Sequence, residues 1–456
     1  MSEATAYAKK SYSSYIIPMI IISALFFIFG FVTWLNSILI PYLKIACELS
    51  RTEAFFVTSA FYIAYTVMAM PSAWVLKKTG LKNGMMIGLW IMAIGTLMFI
   101  PAAMLRTYAI FLLGLFIMGT GLAVLQTASN PYVTIMGPRE SAAKRISILG
   151  ICNKIAGAVA PLILAYFILR DGDAFMKALE SMSEPSKVAA LDTLARRVID
   201  PYIVMTIILL LMGIAVKVSG LPDLEVESGE DTDDEKISSK KSIWEFPHLI
   251  LGVLALFFYV GVEVMAGDTI IVYGQTLDVP LNTSKYFASL VMLGMIIGYV
   301  TGIIFIPKYL NQRKALLGSA ILGIILALAA VLVPRNYTLM FNFIDITSFK
   351  PVVLTMPLTV LFVALFGISN ALVWPAIWPL AIHNLGSFIK TGSAFLIMAI
   401  SGGAILPQIW GVLSDTVGSQ HAFILALISY MVILFYAARG YKLRHWKAVK
   451  TYDEKE

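Results

Sequence analysis

The chain has 456 residues, 59% of them hydrophobic and only 13% charged, with a mean hydropathy of +0.84. Soluble domains carry about 25% charged residues, and the deficit runs along the whole chain, which excludes a soluble globular protein and points to a polytopic membrane protein. The net charge of +7 sits on short stretches between apolar runs, as expected of loops on one side of a membrane and not of a nucleic-acid-binding face.

Lys9 and Lys10 precede an apolar run from about Ile16 to Leu43. That run is too long for a signal-peptide core and lacks a small-residue cleavage site, so it is expected to remain as span 1. A span needs about 20 mostly apolar residues. Twelve segments qualify, starting near residues 16, 53, 83, 108, 146, 198, 246, 284, 315, 352, 391 and 420. Alternate connections are basic: KKTGLKNG (Lys77, Lys78, Lys82), GPRESAAKR, KYLNQRK (Lys308, Arg313, Lys314) and the tail RGYKLRHWKAVK. The positive-inside rule makes these cytoplasmic and places both termini inside. KKTGLKNG and KYLNQRK are expected to hold the cytoplasmic side closed in one state, through helix ends and acidic groups. The loop RDGDAFMKALESMSEPSKVAALDTLARR, between spans 5 and 6, is then external, with apolar spacing for a short surface helix.

An acidic block followed by lysines, LPDLEVESGEDTDDEKISSKK, divides six spans from six and reads as a cytoplasmic linker. The expected domains are residues 1–220, a linker at 221–245, and residues 246–456. The halves repeat. LFFIFGF at Leu25 returns as LFFYVGV at Leu256, 231 residues on; SAWVLKKTGLKNG is answered about 230 later by GIIFIPKYLNQRK. Gly119 and Pro131 match Gly367 and Pro379 at 248, and GAVAP at Gly157 returns as GAILP at Gly403 at 246. Four matches in one order give an all-α membrane protein of twelve helices in two pseudo-symmetric halves, a transporter architecture with its site between the halves.

Polar residues within the spans mark that site. Span 1 holds Trp34, Asn36 and Ser37; span 4 holds Gln126, Thr127, Ser129 and Asn130; span 5 adds Asn153 and Lys154. Span 7 has Glu263 and Asp268, span 10 has Asn370, Trp374 and Trp378, and span 11 has Gln408 and Trp410. Lys154 lies nine residues into its span, about 13 Å deep at 1.5 Å per residue. A charge at that depth is costly and is expected to meet its opposite across the interface, here Glu263 or Asp268. Such a pair could couple a proton to alternating access, fix packing only, or, with a fixed ammonium in place of a transported cation, accompany uncoupled transport. Asn36, Gln126, Asn130, Asn153, Glu263, Asn370, Trp374 and Trp378 are the candidate substrate contacts, since hydroxyls need bidentate donors and acceptors and sugar faces stack on rings. Interhelical hydrogen bonding is the alternative role for the amides. No nucleophile–base pair, phosphate-cradling loop or metal-ligand spacing is present, and Cys47 and Cys152 give no disulfide framework. No cofactor, metal or enzymatic activity is expected.

FFIFGFVTWLNSILIPYLK, GLAVLQTASNPYVTIMGP and WPAIWPLAIHNLGSFIKTGSAFLIMAISGGAILPQIWG resemble the fucose:proton symporter family of the major facilitator superfamily, nearest its bacterial glucose/galactose branch. The resemblance covers nearly all of both halves. It implies a monomeric inner-membrane importer of glucose, galactose or fucose-like sugars with proton or sodium as co-substrate. Asn36, Asn130 and Asn153 keep the family's residue types. The family's aspartate in LNDILIP is Ser37 here, its LETAANP glutamate is Gln126, and Lys154 stands where serine is common. The family's coupling carboxylates are thus absent from the first half. At an offset of 231, Ser37 corresponds to Asp268. An amino-sugar or sugar-acid transporter and a non-transporting sugar sensor are the competing readings.

Overall fold

A computed structural model describes residues 3–135, 142–221, 242–306, 309, 311–344 and 351–446. Span 1, Ile17–Ala46, is interrupted where helix Glu3–Trp34 gives way to Asn36–Ala46. Pro41 lacks the N–H that would reach Ser37, which loosens this turn. The Ser37 hydroxyl donates to the Trp34 carbonyl at 2.9 Å.

Helix Phe56–Leu97 would be about 63 Å long if straight, twice the hydrocarbon thickness of about 30 Å. It turns instead at Gly80, whose φ of 75° and ψ of 171° suit a residue without a Cβ. Span 2 precedes that turn and span 3 follows it. The others are span 4 (Tyr108–Asn130), span 5 (Arg145–Ile168), span 6 (within Glu184–Val218), span 7 (Pro247–Gln275), span 8 (Leu281–Phe305) and span 9 (Gln312–Leu332). Spans 10 to 12 are Leu358–Ile382, Thr391–Thr416 and His421–Lys442. Among the described residues, eleven apolar stretches, one of them folded in two, give twelve crossings. An even number returns the chain to the face on which it starts, called here the terminal face; the opposite one is the distal face.

Two elements differ from expectation. The span 5–6 connection forms two surface helices, Gly172–Glu180 and Glu184–Arg196, because Ser183 and Pro185 start a second one. Residues expected to open span 10 instead form strand Pro351–Pro357, antiparallel to Thr338–Ile344 with Thr338 opposite Pro357. The β-branched run after Pro351 favours a strand, and the helix begins only at Leu358.

The helix contacts obey the repeat. Spans 1 and 5 pack together as do 7 and 11; spans 3 and 6 as do 9 and 12; and span 4 packs on the span 2–3 helix as span 10 packs on 8 and 9. Across the halves, span 2 meets 11 and span 5 meets 8. One hydrogen bond appears in both copies: Ser59 Oγ donates to the Ala404 carbonyl at 2.7 Å, and Ser289 Oγ to the Ala158 carbonyl at 2.5 Å. Their offsets, 230 and 246, are those of the sequence repeat.

Candidate functional site

Span 5 carries Lys154 and span 7 carries Glu263 to the same level from opposite halves. Lys154 Nζ lies 2.6 Å from Glu263 Oε1, with side chains 9% and 10% exposed. Of the two carboxylates open to Lys154 on sequence, the ion pair takes Glu263; Asp268 lies apart from it. The indole of Trp34 lies beneath, 4.6 Å from the ammonium, adding a cation–π contact. Trp34 fits because its neighbours are glycines: a Cβ on Gly157 would come within 2.4 Å of the ring, and one on Gly267 within 2.3 Å. Gly157 belongs to span 5 and Gly267 to span 7, so this ring is clasped by both halves. Its Nε1 is buried without a partner.

An aromatic wall continues from Glu263's helix. Tyr259, one turn earlier, has its ring 6.4 Å from that of Trp374, which stacks on Trp378 at 5.5 Å. Both tryptophans are half-buried. Neither member of the ion pair is repeated. At the repeat offsets, Glu263 corresponds to Val32 and Lys154 to Ile400, both apolar and buried. The pair is therefore not demanded by the helical framework, which packs without it in the other copy.

The remaining candidates differ in their surroundings. Asn36 is 1% exposed and, among the described residues, neither polar atom of its side chain has a partner. Gln126 is half-buried with Oε1 unpartnered, and Asn130 is half-buried. Asn153 donates to the Phe26 carbonyl at 3.4 Å, joining spans 5 and 1. Asn370 accepts from the Tyr430 hydroxyl at 2.9 Å, joining spans 10 and 12. An apolar crevice of about 410 Å³, lined by Phe56, Ile63, Leu112 and Ile405 among others, opens between spans 2 and 11 and does not include the pair.

Two of the basic-loop cations meet helix ends. Lys82 Nζ donates to the Ser219 carbonyl at 2.7 Å, and Arg313 Nε makes a long 3.5 Å contact to the Ala437 carbonyl. Both complement the negative end of a helix within their own half. Lys77 is exposed, Lys78 lies over the Trp74 ring at 3.9 Å, and Lys314 donates its backbone N–H to Asn311. Lys308 lies outside the described residues. Among the described residues none of these cations pairs with a carboxylate or reaches the other half.

Sequence reasoning missed the lock at the distal face. Arg51 contacts Asp415 at 3.1 Å and Ser414 at 2.8 Å; Thr52 donates to Asp415 at 3.0 Å; Gln408 donates to the Thr52 carbonyl at 3.1 Å. Phe55 packs edge-on against Trp410. The S-R-T-E capping box at Ser50, which starts the helix presenting Arg51, was the legible signal. Asp173 adds a second tie, accepting from the backbone N–H groups of Leu281 and Asn282 at 2.8 and 3.1 Å. Beside it, Asp171 is bridged by both Arg197 guanidinium nitrogens, and that hydrogen bonding holds its carboxyl below the usual range.

A twelve-span bundle of two repeated halves, with a buried charge pair and an aromatic wall at their junction, defines a transporter-type membrane protein. The Major Facilitator Superfamily profile matches residues 22–386, and the chain belongs to that superfamily. It is 32% identical over 442 residues to the glucose/galactose transporter of Brucella abortus, covering 95% of this chain and 96% of the relative. To the L-fucose-proton symporter of Escherichia coli it is 29% identical over 430 residues, 93% of each chain. The crystal structure of the E. coli fucose:proton symporter superposes with a TM-score of 0.68 at 27% identity, covering 93% of this chain and 98% of the other.

Proposed function

We propose that this protein imports a monosaccharide of the glucose, galactose or fucose type across the inner membrane by alternating access, with cation coupling. The observation that carries this reading is the ion pair between Lys154 and Glu263, buried at the junction of the halves over Trp34, with Tyr259 one turn from Glu263 leading to the Trp374–Trp378 stack. The pair gives a sugar hydroxyl both a donor and an acceptor, and the rings give its apolar face a platform. Two full-length relatives bearing sugar-transporter names support the substrate class. Residues 1–220 and 246–456 rock as two bodies about the junction, with the terminal face cytoplasmic, and one chain suffices for transport. Gln126, Asn130 and Asn36 supply further polar contacts; Asn153 and Asn370 hold helices together. Because Lys154 is already matched by Glu263, the site carries no spare positive charge, which disfavours a sugar acid.

Uptake of labelled D-glucose, D-galactose and L-fucose into proteoliposomes, with imposed proton or sodium gradients, tests this for wild type and Lys154→Ala. The expected result is gradient-driven uptake of at least one sugar, lost in the variant. Equal transport by Lys154→Ala, with the same ion dependence, would remove Lys154 from the mechanism. Uptake that ignores both gradients would make the protein an uncoupled facilitator.

A further inference from the structure

Asp268 is left over when Lys154 pairs with Glu263. It lies five residues further along span 7, about 7.5 Å nearer the distal face. Its side chain is fully buried, and among the described residues Oδ1 has no hydrogen-bond partner and Oδ2 has only the Thr58 hydroxyl of span 2, at 3.4 Å across the junction. No lysine, arginine or histidine pairs with it among the described residues.

Its titratable surroundings are few. Tyr62 of span 2 interacts electrostatically with both Asp268 and Glu263, and its hydroxyl is buried without a partner. Tyr259 on the same helix and Tyr299 of span 8 act with Glu263 instead, and Tyr273 donates to Thr359. Of the cations on packed spans, Lys154 is paired with Glu263, and Lys44 of span 1 interacts electrostatically with Arg51 and Asp415. A carboxylate here would be an anion with no cation and one weak donor, which is costly; as an acid it is tolerated. In the other copy of the repeat the same position is Ser37, so packing does not require a carboxyl.

We propose that Asp268 is a proton-binding site of the transport cycle, loaded from the distal side when the halves part there and still protonated when the distal seal first closes. Passing its proton through the Tyr62 hydroxyl, which gives its own proton to Glu263, leaves an anion in the closed seal. Only reopening rehydrates that anion. Proton binding is thereby tied to closure, in the half opposite to the one in which the family's pattern carries its carboxylates. The inference deepens the sugar-transport reading and rests on it for its assay.

The test compares wild type with Asp268→Asn in proteoliposomes, using the three labelled sugars. Exchange without a proton gradient and accumulation driven by one are measured side by side. The asparagine mimics the neutral acid, so exchange should persist while accumulation is lost. Accumulation equal to wild type, or loss of both activities together, would overturn the proposal. Wild type without exchange of any sugar would sink the sugar reading alone. Infrared difference spectra are independent of substrate: the C=O stretch of a protonated carboxylic acid should be present at neutral pH in wild type and missing in Asp268→Asn. Its absence from wild type overturns the assignment. Should Asp268→Asn fail to fold, Asp268→Glu must shift both this band and the pH dependence of accumulation, and an unmoved band counts against it.

Discussion

Lys154 and Glu263 stand 2.6 Å apart although they come from different halves and neither has a charged counterpart in the repeat. Removing one partner of a buried pair strands the other charge, at about 3–5 kcal/mol, whereas removing both is often neutral. Lys154→Met and Glu263→Gln alone should therefore lower thermal stability markedly, and the double variant should recover most of the loss. Equal melting temperatures for wild type and both single variants would mean that the pair is not intact in the membrane.

Trp34 makes a steric prediction. A Cβ on Gly267 would meet its ring at 2.3 Å, and overpacking of this kind costs about 1–3 kcal/mol. Gly267→Ala should destabilise the distal-closed state and slow transport, and adding Trp34→Phe should restore part of it. Additive losses in the double variant would place the two residues in separate environments.

The Arg51–Asp415 contact is 25% and 44% exposed on its two sides, so it contributes only about 0.2–1 kcal/mol. Asp415→Ala should leave unfolding stability nearly unchanged yet shift the balance between distal-closed and distal-open states by roughly twofold to fivefold. Spin labels at Leu105→Cys and Val417→Cys, both exposed in the wild type, in a background lacking Cys47 and Cys152, would report it as a larger population of long distances.

Asp171 predicts a pH effect confined to the distal connector. Its carboxyl is depressed by hydrogen bonds from Arg197. The stabilisation is fully present above the ordinary aspartate value of about 3.9 and is lost as pH falls through the lower folded value. Hydrogen-exchange protection factors of residues 172–196 should be unchanged from pH 8 to 5, fall below about pH 4, and lose that step in Asp171→Asn.

The twelve crossings were legible because apolar runs of span length are hard to imitate, and the repeat was legible because offsets near 231 and 247 recur in order. The choice of Glu263 over Asp268 was not: both lie on one helix, and five residues turn a side chain by more than a full turn. The hairpin at 338–357 was hidden because Val352, Val353 and Leu354 are as apolar as a helix start. The distal lock escaped since Asp415 sits at a helix end, where a charge needs no explanation. Asn370 poses the opposite difficulty. A buried amide demands a partner, and sequence cannot say whether Tyr430 or a ligand provides it.

The twin serine bonds, Ser59 to Ala404 and Ser289 to Ala158, constrain how the molecule can move. Both bonds join the halves at equivalent positions of the repeat, and under the proposed alternating access a rotation about the line between them would spare both while exchanging which end gapes. Loosening a single flank would turn a symmetric see-saw into a lopsided one, with one side wall parting before the other.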